Sequence, residues 1–415
     1  MRIQKRIKGH SMNNEVKTKR FEALSKKIVL NLFKKIQQGT IHVNDAEASY
    51  VFGDTGSTNG QRATITINHP QAYKKILLEG SLGAGKSYID GDWHSDDLKQ
   101  LIELFIANDS LFNNMEGPAA RFFSWVRTAG YKLNKNTIQR AKDNILAHYD
   151  LGNDFYQLIL DPSMMYSCAL YEPSDISLDQ AATKKIHHIC NKLQLKSTDH
   201  VLEIGSGWGG FAIYAAQEYG CKITTTTISD KQYAFVKNKI KQAGLENQIE
   251  LLNQDYRKLS GQYDKLVSIE MIEAVGHNYF DTFFQQCNRL IKPEGLFFLQ
   301  AIVINDQAYD TAKNEVDFIK KYIFPGGCLP STFSIAKSIA TQTTMQLISF
   351  DDIGKHYVTT LNDWHTRLLA NKEAILAQGF SDSFMRMWEF YFCYSAAGFA
   401  SQYISNVHAL WRKRK

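Results

Sequence analysis

Apolar residues near the start of the chain recur at steps of three and four, which places them on one face of a helix. They are Phe21, Leu24, Ile28, Leu32, Phe33 and Ile36. This spacing predicts an amphipathic helix flanked by lysines, which either docks on its own domain or lies on a membrane surface. The basic residues 1–20 before it predict a disordered arm.

The next part of the chain alternates apolar and polar residues. Residues 39–68 predict short strands, interrupted by a turn cluster at Gly53–Gly60, and His69 with Pro70 then begins a helix that runs to about Leu78. The polar stretch Leu133–Gln139 predicts a boundary before a second and larger unit.

From Asp199 the pattern changes to strands that alternate with helices. The predicted strands are Val201–Gly205, Lys222–Ile228, Ile249–Leu252, Lys265–Ile269 and Leu296–Ile304, and a turn at Lys292–Gly295 precedes the last of them. The predicted helices are Gly209–Tyr219 and one that begins with a capping box at Ser229 and Gln232 and ends near Ala243. This order predicts a mostly parallel sheet, with a ligand beyond the carboxyl ends of its strands.

Charge and composition narrow the class of protein. The chain has 415 residues with 48 Lys and Arg against 42 Asp and Glu, and residues 1–40 alone hold 11 basic and 2 acidic residues. Such a basic segment suits anionic lipid or nucleic acid, and its alternative is a solvated tail. The richest apolar window, Trp388–Ala400, is too short to span a bilayer, and no signal peptide is expected. The six cysteines form no metal or disulfide motif, so a reducing cytoplasm is expected.

Two glycine-rich segments carry candidate chemistry, and the first is Gly80–Ser87. It matches the phosphate-binding pattern G-x-x-x-x-G-K-[ST]. That loop must follow a buried strand and open a long helix, whereas Tyr73–Glu79 is helical in pattern and Asp90 to Asp92 stop any following helix. We expect a surface loop that joins two helices, and not a nucleotide site.

The second segment, Glu203–Gly210, follows a strand and opens a helix. Its glycines also satisfy the dinucleotide pattern G-x-G-x-x-G. However, Glu203 lies inside the strand, and the next strand ends in Thr226 and Thr227 where a nicotinamide binder places an acid for the ribose. These features favour S-adenosylmethionine over NAD.

From His148 onward the chain resembles the cyclopropane-fatty-acid synthases, a family that includes the mycolic-acid cyclopropane synthases. The matching runs are His148–Tyr156, Met165–Ala169, Glu203–Gly210, Thr227–Gln232, Gln254–Arg257, Met271–Gly276 and Lys321–Pro330. The segment Tyr88–Trp93 also resembles the N-terminal region of the longer members. The resemblance implies a Rossmann-like S-adenosylmethionine-dependent methyltransferase domain at residues 140–415, behind a smaller α/β domain at residues 1–139. It further implies action on unsaturated acyl chains.

The resemblance also implies site residues. Those on the cofactor side are Tyr166, Ser167, Glu203, Gly205, Gly207, Thr227, Gln232, Gln254, Asp255 and Tyr256. Those expected to hold a catalytic bicarbonate ion are Glu273, Cys168, Gln300, Ile302 and Tyr357. The chain departs from the family pattern at Gln300 and Ala274, where the known cyclopropane synthases have His, and at Glu270, where they have Gly.

The implied chemistry sets demands on the site. A cis double bond attacks the sulfonium methyl group in line, and the resulting carbocation needs a dry tunnel and aromatic faces, for which Tyr166, Tyr322, Phe324 and Tyr357 are candidates. A base must then remove a proton: bicarbonate by resemblance, with Glu270 as an alternative. Ring closure gives a cyclopropane, and a methylene branch is the alternative product.

The expected partner is a phospholipid bilayer with unsaturated acyl chains, and a nucleic acid is not expected. The protein is therefore expected in the cytoplasm, associated peripherally with the inner face of the membrane. A homodimer stays open. Three other classes also stay open: a P-loop NTPase, a nicotinamide oxidoreductase and a non-catalytic lipid-binding module.

Overall fold

The computed structural model describes residues 20–54, 61–108 and 152–415, and the chain divides into two compact units. The first comprises Met1–Ala129 with Phe380–Ala397, and the second comprises Gly130–Gly379 with Gly398–Lys415. The return of Phe380–Ala397 to the first unit was not anticipated from the sequence. Nearly all of the predicted basic arm, and the predicted boundary at 139/140, lie outside the described residues.

The first unit contains a four-stranded sheet and helices. Its strands are Thr40–Asn44 (β1), Ser49–Gly53 (β2), Arg62–Ile67 (β3) and Trp93–Ser95 (β4). Its early helices span residues 20–33 (α1), Gln71–Ile89 (α2) and Leu98–Ala107 (α3). The strand order is β2-β1-β3-β4, and only the β1–β3 pair is parallel.

Helix α2 contains the first glycine-rich segment. The segment is helical on both sides of a kink at Gly80, where φ is 58°, so the expectation of a surface loop is wrong. Gly83 is buried so tightly that an added Cβ would lie 2.1 Å from the carbonyl oxygen of Lys75. Ser87 donates its hydroxyl hydrogen to Asp92 at 2.9 Å. Helical residues, and not a strand, lie directly before Gly80, and the segment continues as a helix, so it does not form a P-loop.

The second unit is built on a seven-stranded sheet. Its strands are His200–Ile204 (β5), Lys222–Thr227 (β6), Ile249–Asn253 (β7), Tyr263–Ile269 (β8), Ile291–Ile304 (β9), Met345–Asp352 (β10) and Ile404–Lys413 (β11). Its α-helices are Asn153–Ile159 (α4), Leu178–Leu193 (α5), Gly210–Tyr219 (α6), Asp230–Gln242 (α7), Phe280–Leu290 (α8), Asp306–Ala312 (α9), Thr332–Gln342 (α10), Gly354–Ala370 (α11) and Lys372–Ala377 (α12). The last helix, Asp382–Ala400 (α13), begins in the first unit and ends in the second.

The strand order of the large sheet is β10-β11-β9-β8-β5-β6-β7. The five strands from β9 to β7 are parallel, whereas β11 and β10 pair in antiparallel fashion. This sheet confirms the predicted α/β fold. The carboxyl ends of β5, β6, β7 and β8 therefore meet at one edge, where doubly wound sheets bind their ligands.

The predicted turn at Lys292–Gly295 lies inside β9. Tyr263 pairs with Ile291 and Lys265 pairs with Leu296, so the four intervening residues bulge out of the ladder. Glu294 takes a left-handed φ of 63° within this bulge. The strand then runs through the core, where aromatic side chains such as Phe283, Phe284 and Phe297 are fully buried.

Within the described residues, no helix is both long enough and apolar enough to cross a membrane.

Candidate active site

The second glycine-rich segment forms a tight turn between β5 and α6. Gly205 and Gly207 have φ values of 98° and 49°, which residues other than glycine rarely adopt. The backbone N–H groups of Gly205 and Ser206 donate to the carbonyl oxygen of Thr226 on the neighbouring strand, at 3.2 and 2.8 Å. A Cβ at Gly207 would meet no atom of the described residues within 4 Å, so among these residues the turn is open to a ligand at that point.

Glu203 lies in β5 just before this turn, and its carboxylate is buried. Thr225 donates its hydroxyl hydrogen to Glu203 at 2.5 Å. Burial raises the pKa of the Glu203 carboxyl to about 7, against the effects of the Thr225 hydrogen bond and the nearby charge of Lys185. The turn is therefore preceded by an acid that gains or loses its proton close to neutral pH.

Lys185 on α5 is a functional candidate that the sequence motifs missed. Its side chain is fully buried, and its ammonium group donates to the hydroxyl of Ser167 at 2.7 Å. Burial lowers the pKa of Lys185 to about 8, and the charge of Glu270 opposes this shift. A buried lysine on a helix is not part of any local motif, so only the fold brings it to Ser167.

Polar residues at the end of β6 lie beside the turn. Thr227 donates its hydroxyl hydrogen to the side-chain oxygen of Gln232 at 2.9 Å. Ser229 caps α7 by accepting from the backbone N–H of Gln232 at 3.3 Å. The predicted helix start is confirmed, but the Gln232 side chain contacts Thr227 instead of closing the capping box.

The residues after β7 continue the same edge of the sheet. The backbone N–H of Gln254 donates to the carbonyl oxygen of Thr227 at 3.0 Å, which ties the two strand ends together. Asp255 forms a two-pronged ion pair with Arg257 at 2.6 and 2.9 Å. Burial would raise the pKa of Asp255, but the hydrogen bonds from Arg257 hold it below its ordinary value. Tyr256 packs edge-on against Phe283, with ring centroids 5.5 Å apart.

Ser167, Glu203, the glycine turn and the ends of β6 and β7 together fit S-adenosylmethionine. The open backbone at Gly207 admits a ligand, and polar groups of Ser167, Thr227 and Gln232 offer donors and acceptors. The contacts of these individual residues with the cofactor remain predictions.

A second cluster follows β8, and its centre is the carboxylate of Glu270. Its Oε1 atom accepts from the Cys168 backbone N–H at 2.9 Å, from the Gln300 amide at 2.7 Å and from the Asn406 amide at 2.6 Å. Its Oε2 atom accepts from the Tyr357 hydroxyl at 2.6 Å. Burial raises the pKa of Glu270, although these hydrogen bonds favour its charged form.

Glu273 lies one turn further along and makes a separate contact. Its Oε1 atom accepts from the backbone N–H of Ile302 at 2.6 Å. Its Oε2 atom is buried and has no hydrogen-bond partner among the described residues. Burial, followed by the negative charge of Glu270, raises the pKa of Glu273 to about 8. The predicted contact of Tyr357 with an ion held by Glu273 is not what the geometry shows, since the Tyr357 hydroxyl is bonded to Glu270.

Two members of this cluster come from β11 and were missed by sequence reasoning. Asn406 contacts Glu270 directly, and the His408 ring lies 3.0 Å from the side-chain oxygen of Gln300. Burial lowers the pKa of His408 well below its ordinary value, so the ring is neutral and donates to Gln300. Gln300 thereby presents its amide hydrogens to Glu270 and to the carbonyl oxygen of Cys168.

The residues present do not fit a bicarbonate ion held as the resemblance implies. Three of the five expected ligand residues, Cys168, Gln300 and Tyr357, already donate to the carboxylate of Glu270. A further anion beside them would be repelled by the negative charge of Glu270.

Aromatic rings surround the same region. Tyr166 lies within 5.1 Å of Trp364 and 6.3 Å of Phe324, measured between ring centroids. Tyr357 lies 6.0 Å from Trp364 and 4.5 Å from Phe399. Tyr322, another candidate, pairs with Phe318 at 5.1 Å. The cluster of Tyr166, Phe324, Tyr357 and Trp364 offers π faces next to the Glu270 carboxylate.

The seven-stranded sheet, its strand order and the glycine turn define an S-adenosylmethionine-dependent methyltransferase. The profile of the family described as mycolic acid cyclopropane synthetase matches residues 136–409. The chain belongs to this family.

Two relatives and a solved structure support this family assignment. The chain is 38% identical over 351 residues to the cyclopropane-fatty-acyl-phospholipid synthase of Escherichia coli K12, covering 84% of this chain and 87% of that protein. It is 33% identical over 362 residues to the tuberculostearic acid methyltransferase UfaA1 of Mycobacterium tuberculosis, covering 84% and 83%. The solved structure of mycolic acid cyclopropane synthase CmaA1 with SAH and CTAB superposes with a TM-score of 0.62 at 28% identity, covering 66% of this chain and 98% of that one.

Proposed function

We propose that this enzyme transfers a methylene unit from S-adenosylmethionine to the cis double bonds of unsaturated phospholipid acyl chains and forms cyclopropane fatty acids. The observation that carries the proposal is the hydrogen-bonded carboxylate of Glu270 beside an aromatic cluster, at the carboxyl edge of a methyltransferase sheet. The similarity to the Escherichia coli cyclopropane-fatty-acyl-phospholipid synthase supports the substrate class.

Each part of the site answers one demand of this reaction. When bound, S-adenosylmethionine supplies an electrophilic methyl group on a positively charged sulfur. The glycine turn and the strand ends hold the reacting atoms in line, which removes much of the entropic barrier. Aromatic faces at Tyr166, Tyr357 and Trp364 stabilise positive charge that develops on the acyl chain. Tyr357 and Trp364 are buried, which keeps water away from that charge.

A second candidate is C-methylation that leaves a methylene- or methyl-branched acyl chain. The similarity to the tuberculostearic acid methyltransferase supports it. Both reactions pass through the same cation. Proton loss from the methyl-derived carbon with ring closure gives the cyclopropane, whereas a hydride shift along the chain before that proton loss gives the methylene branch. A saturated methyl branch needs an additional hydride donor.

Incubation with labelled S-adenosylmethionine and unsaturated phosphatidylglycerol liposomes tests the proposal. We expect S-adenosylhomocysteine release and an acyl chain that is one CH₂ heavier. Proton NMR separates a cyclopropane from a methylene branch of equal mass. Saturated liposomes are the control and should yield no product. Absence of release with the unsaturated lipid would reject the function, and a vinylidene proton signal would select the second candidate.

We also propose that helix α1 carries the enzyme to the bilayer surface at the cytoplasmic side. Phe21, Leu24 and Ile28 are exposed on one face, with relative exposures of 38%, 52% and 36%. Val29 and Phe33 on another face are buried, so α1 docks on its own unit and still presents an apolar stripe. The exposed lysines beside this stripe would attract anionic lipid headgroups.

A further inference from the structure

Glu270 occupies a backbone position that a glutamate rarely takes. Its φ is 48°, in the left-handed region, where a residue with a Cβ is less stable than glycine by about 1–2 kcal/mol. The family pattern has glycine at this position. Strain of this kind persists where the surrounding structure fixes it, and it concentrates at functional sites.

The surroundings of Glu270 form a complete anion site around its own carboxylate. Its four donors come from four different places in the fold: the segment before α5, strand β9, helix α11 and strand β11. Such convergence specifies a single position for one negatively charged group. Three of the donors belong to residues that the resemblance assigns to bicarbonate, namely Cys168, Gln300 and Tyr357.

Two of the three departures from the family pattern are in direct contact. Glu270 replaces glycine and Gln300 replaces histidine, and the Gln300 amide donates to the Glu270 carboxylate at 2.7 Å. An amide is a donor that stays neutral, so it supports a carboxylate without supplying a proton of its own. The two replacements therefore act as one unit.

We propose that the Glu270 carboxylate takes the place of the bicarbonate ion and is itself the proton acceptor of the reaction. This inference rests on the proposed function and names the base within it. Among the described residues, Oε2 accepts one hydrogen bond, from Tyr357, and so keeps a lone pair for the incoming proton. The raised pKa of the buried carboxyl strengthens it as a base.

The proposed reaction consists of a methyl transfer followed by a proton transfer. The double bond's electron pair forms a bond to the methyl carbon, the carbon–sulfur bond breaks, and neutral S-adenosylhomocysteine leaves. The positive charge is now on the acyl chain. A proton moves from the transferred methyl group to Oε2 of Glu270, and the carbon–hydrogen electron pair closes the ring. The products are a neutral cyclopropane and a neutral glutamic acid, which returns its proton to solvent before the next turnover.

The charges of the cluster agree with an internal base. Glu273 lies close enough for the negative charge of Glu270 to raise its pKa. The Lys185 ammonium favours the charged form of Glu270. The carboxylate of Glu270 is therefore balanced by the buried ammonium of Lys185. An additional bicarbonate ion would have no such counter-charge from Lys185.

The first experiment measures S-adenosylhomocysteine release by the wild-type enzyme with unsaturated liposomes. The buffer is stripped of carbon dioxide and then supplemented with bicarbonate. We expect activity to change by less than about twofold, because the acceptor is part of the chain. Loss of activity on stripping, with recovery on supplementation, would overturn the inference while leaving the proposed function intact. No release under either condition, with the unsaturated lipid, would instead reject the function.

Two substitutions then separate the carboxylate from the space it fills. Glu270→Gly removes the carboxylate and restores the family's residue, so we expect release to fall by about 100-fold or more and to recover in part with added bicarbonate. Glu270→Gln fills the same space without a strong base, and we expect the same fall without recovery. Equal activity of Glu270→Gln and wild type in stripped buffer would overturn the inference.

Glu294→Gly is the matched control. Glu294 is an exposed glutamate that also has a left-handed φ, so this variant relieves the same backbone strain outside the site. Its activity should equal that of the wild type. A melting-temperature increase with S-adenosylhomocysteine verifies that each variant is folded, and the wild-type bicarbonate measurement decides the question if Glu270→Gly fails that criterion.

Discussion

Glu203 shows how one buried residue makes the stability of the folded protein depend on pH. Burial raises its folded-state pKa to about 7 from an ordinary value of 4.5. Between these two values the unfolded chain releases the proton while the folded protein retains it. The free energy of unfolding therefore falls as the pH rises through this range, by an amount on the order of 3 kcal/mol.

The substitution Glu203→Gln should remove this dependence. At pH 5 the variant and the wild type should melt at similar temperatures, because both side chains are neutral in the folded state. At pH 8 the variant should melt several degrees higher, as measured by differential scanning calorimetry. The exposed Glu246→Gln is the control and should behave alike at both pH values. An equal change for Glu203→Gln at pH 5 and pH 8 would contradict the argument.

At this scale the sequence could group the glycine turn with Glu203, but it could not group the partners of Glu270. The glycine turn and Glu203 are neighbours in the chain, so one short motif contains them. The partners of Glu270 are spread from Cys168 to Asn406, and only the folded sheet brings them together. Bicarbonate was expected because the resemblance assigns each ligand residue separately. The geometry shows that three of these residues already donate to the carboxylate of Glu270.

The helices and strands were predicted well where their local pattern is strong. Strands β5 to β8 and helices α6 and α7 lie close to their predicted bounds. Strands β10 and β11 were not predicted. Most of β11 is buried on both faces, so it lacks the alternation of a half-exposed strand, and its place between β9 and β10 is decided by distant pairing.

Helix α7 provides a prediction for a single element. Ser229→Ala removes its N-cap and should lower stability by about 1 kcal/mol. The cap also fixes Thr227 and Gln232 in relation to one another, so we expect weaker binding of S-adenosylhomocysteine in isothermal titration calorimetry.

Ser177→Ala is the matched control for that substitution. Ser177 caps α5 with a complete capping box, so its loss should lower stability by a similar amount. Its affinity for S-adenosylhomocysteine should equal that of the wild type. Equal affinities of both variants would show that the cap of α7 has no part in the cofactor site.

At the scale of the whole molecule, the proposed function requires contact with lipid, and no helix among the described residues can span a membrane. The exposed stripe of α1 gives a direct test in a liposome sedimentation assay. Replacing Phe21, Leu24 and Ile28 by serine should weaken binding to anionic liposomes by at least about tenfold, because apolar area no longer enters the bilayer surface.

A second triple variant controls for the loss of exposed apolar area in general. Leu347, Ile348 and Phe350 on β10 are also exposed, and their replacement by serine should leave liposome binding unchanged. Wild-type binding by the α1 variant would refute a role for this helix. The sequence predicted that α1 docks on its own domain or on a membrane. One face of α1 is buried and another is exposed, which is compatible with both at once.

The position of β11 has a consequence for protein synthesis. This strand is translated after every other described element, yet it pairs with β9 inside the sheet and delivers Asn406 to the buried carboxylate. A nascent chain that is still attached to the ribosome near residue 404 can complete neither the sheet nor the active centre. The enzyme should therefore stay silent during translation and become competent only once this strand has emerged.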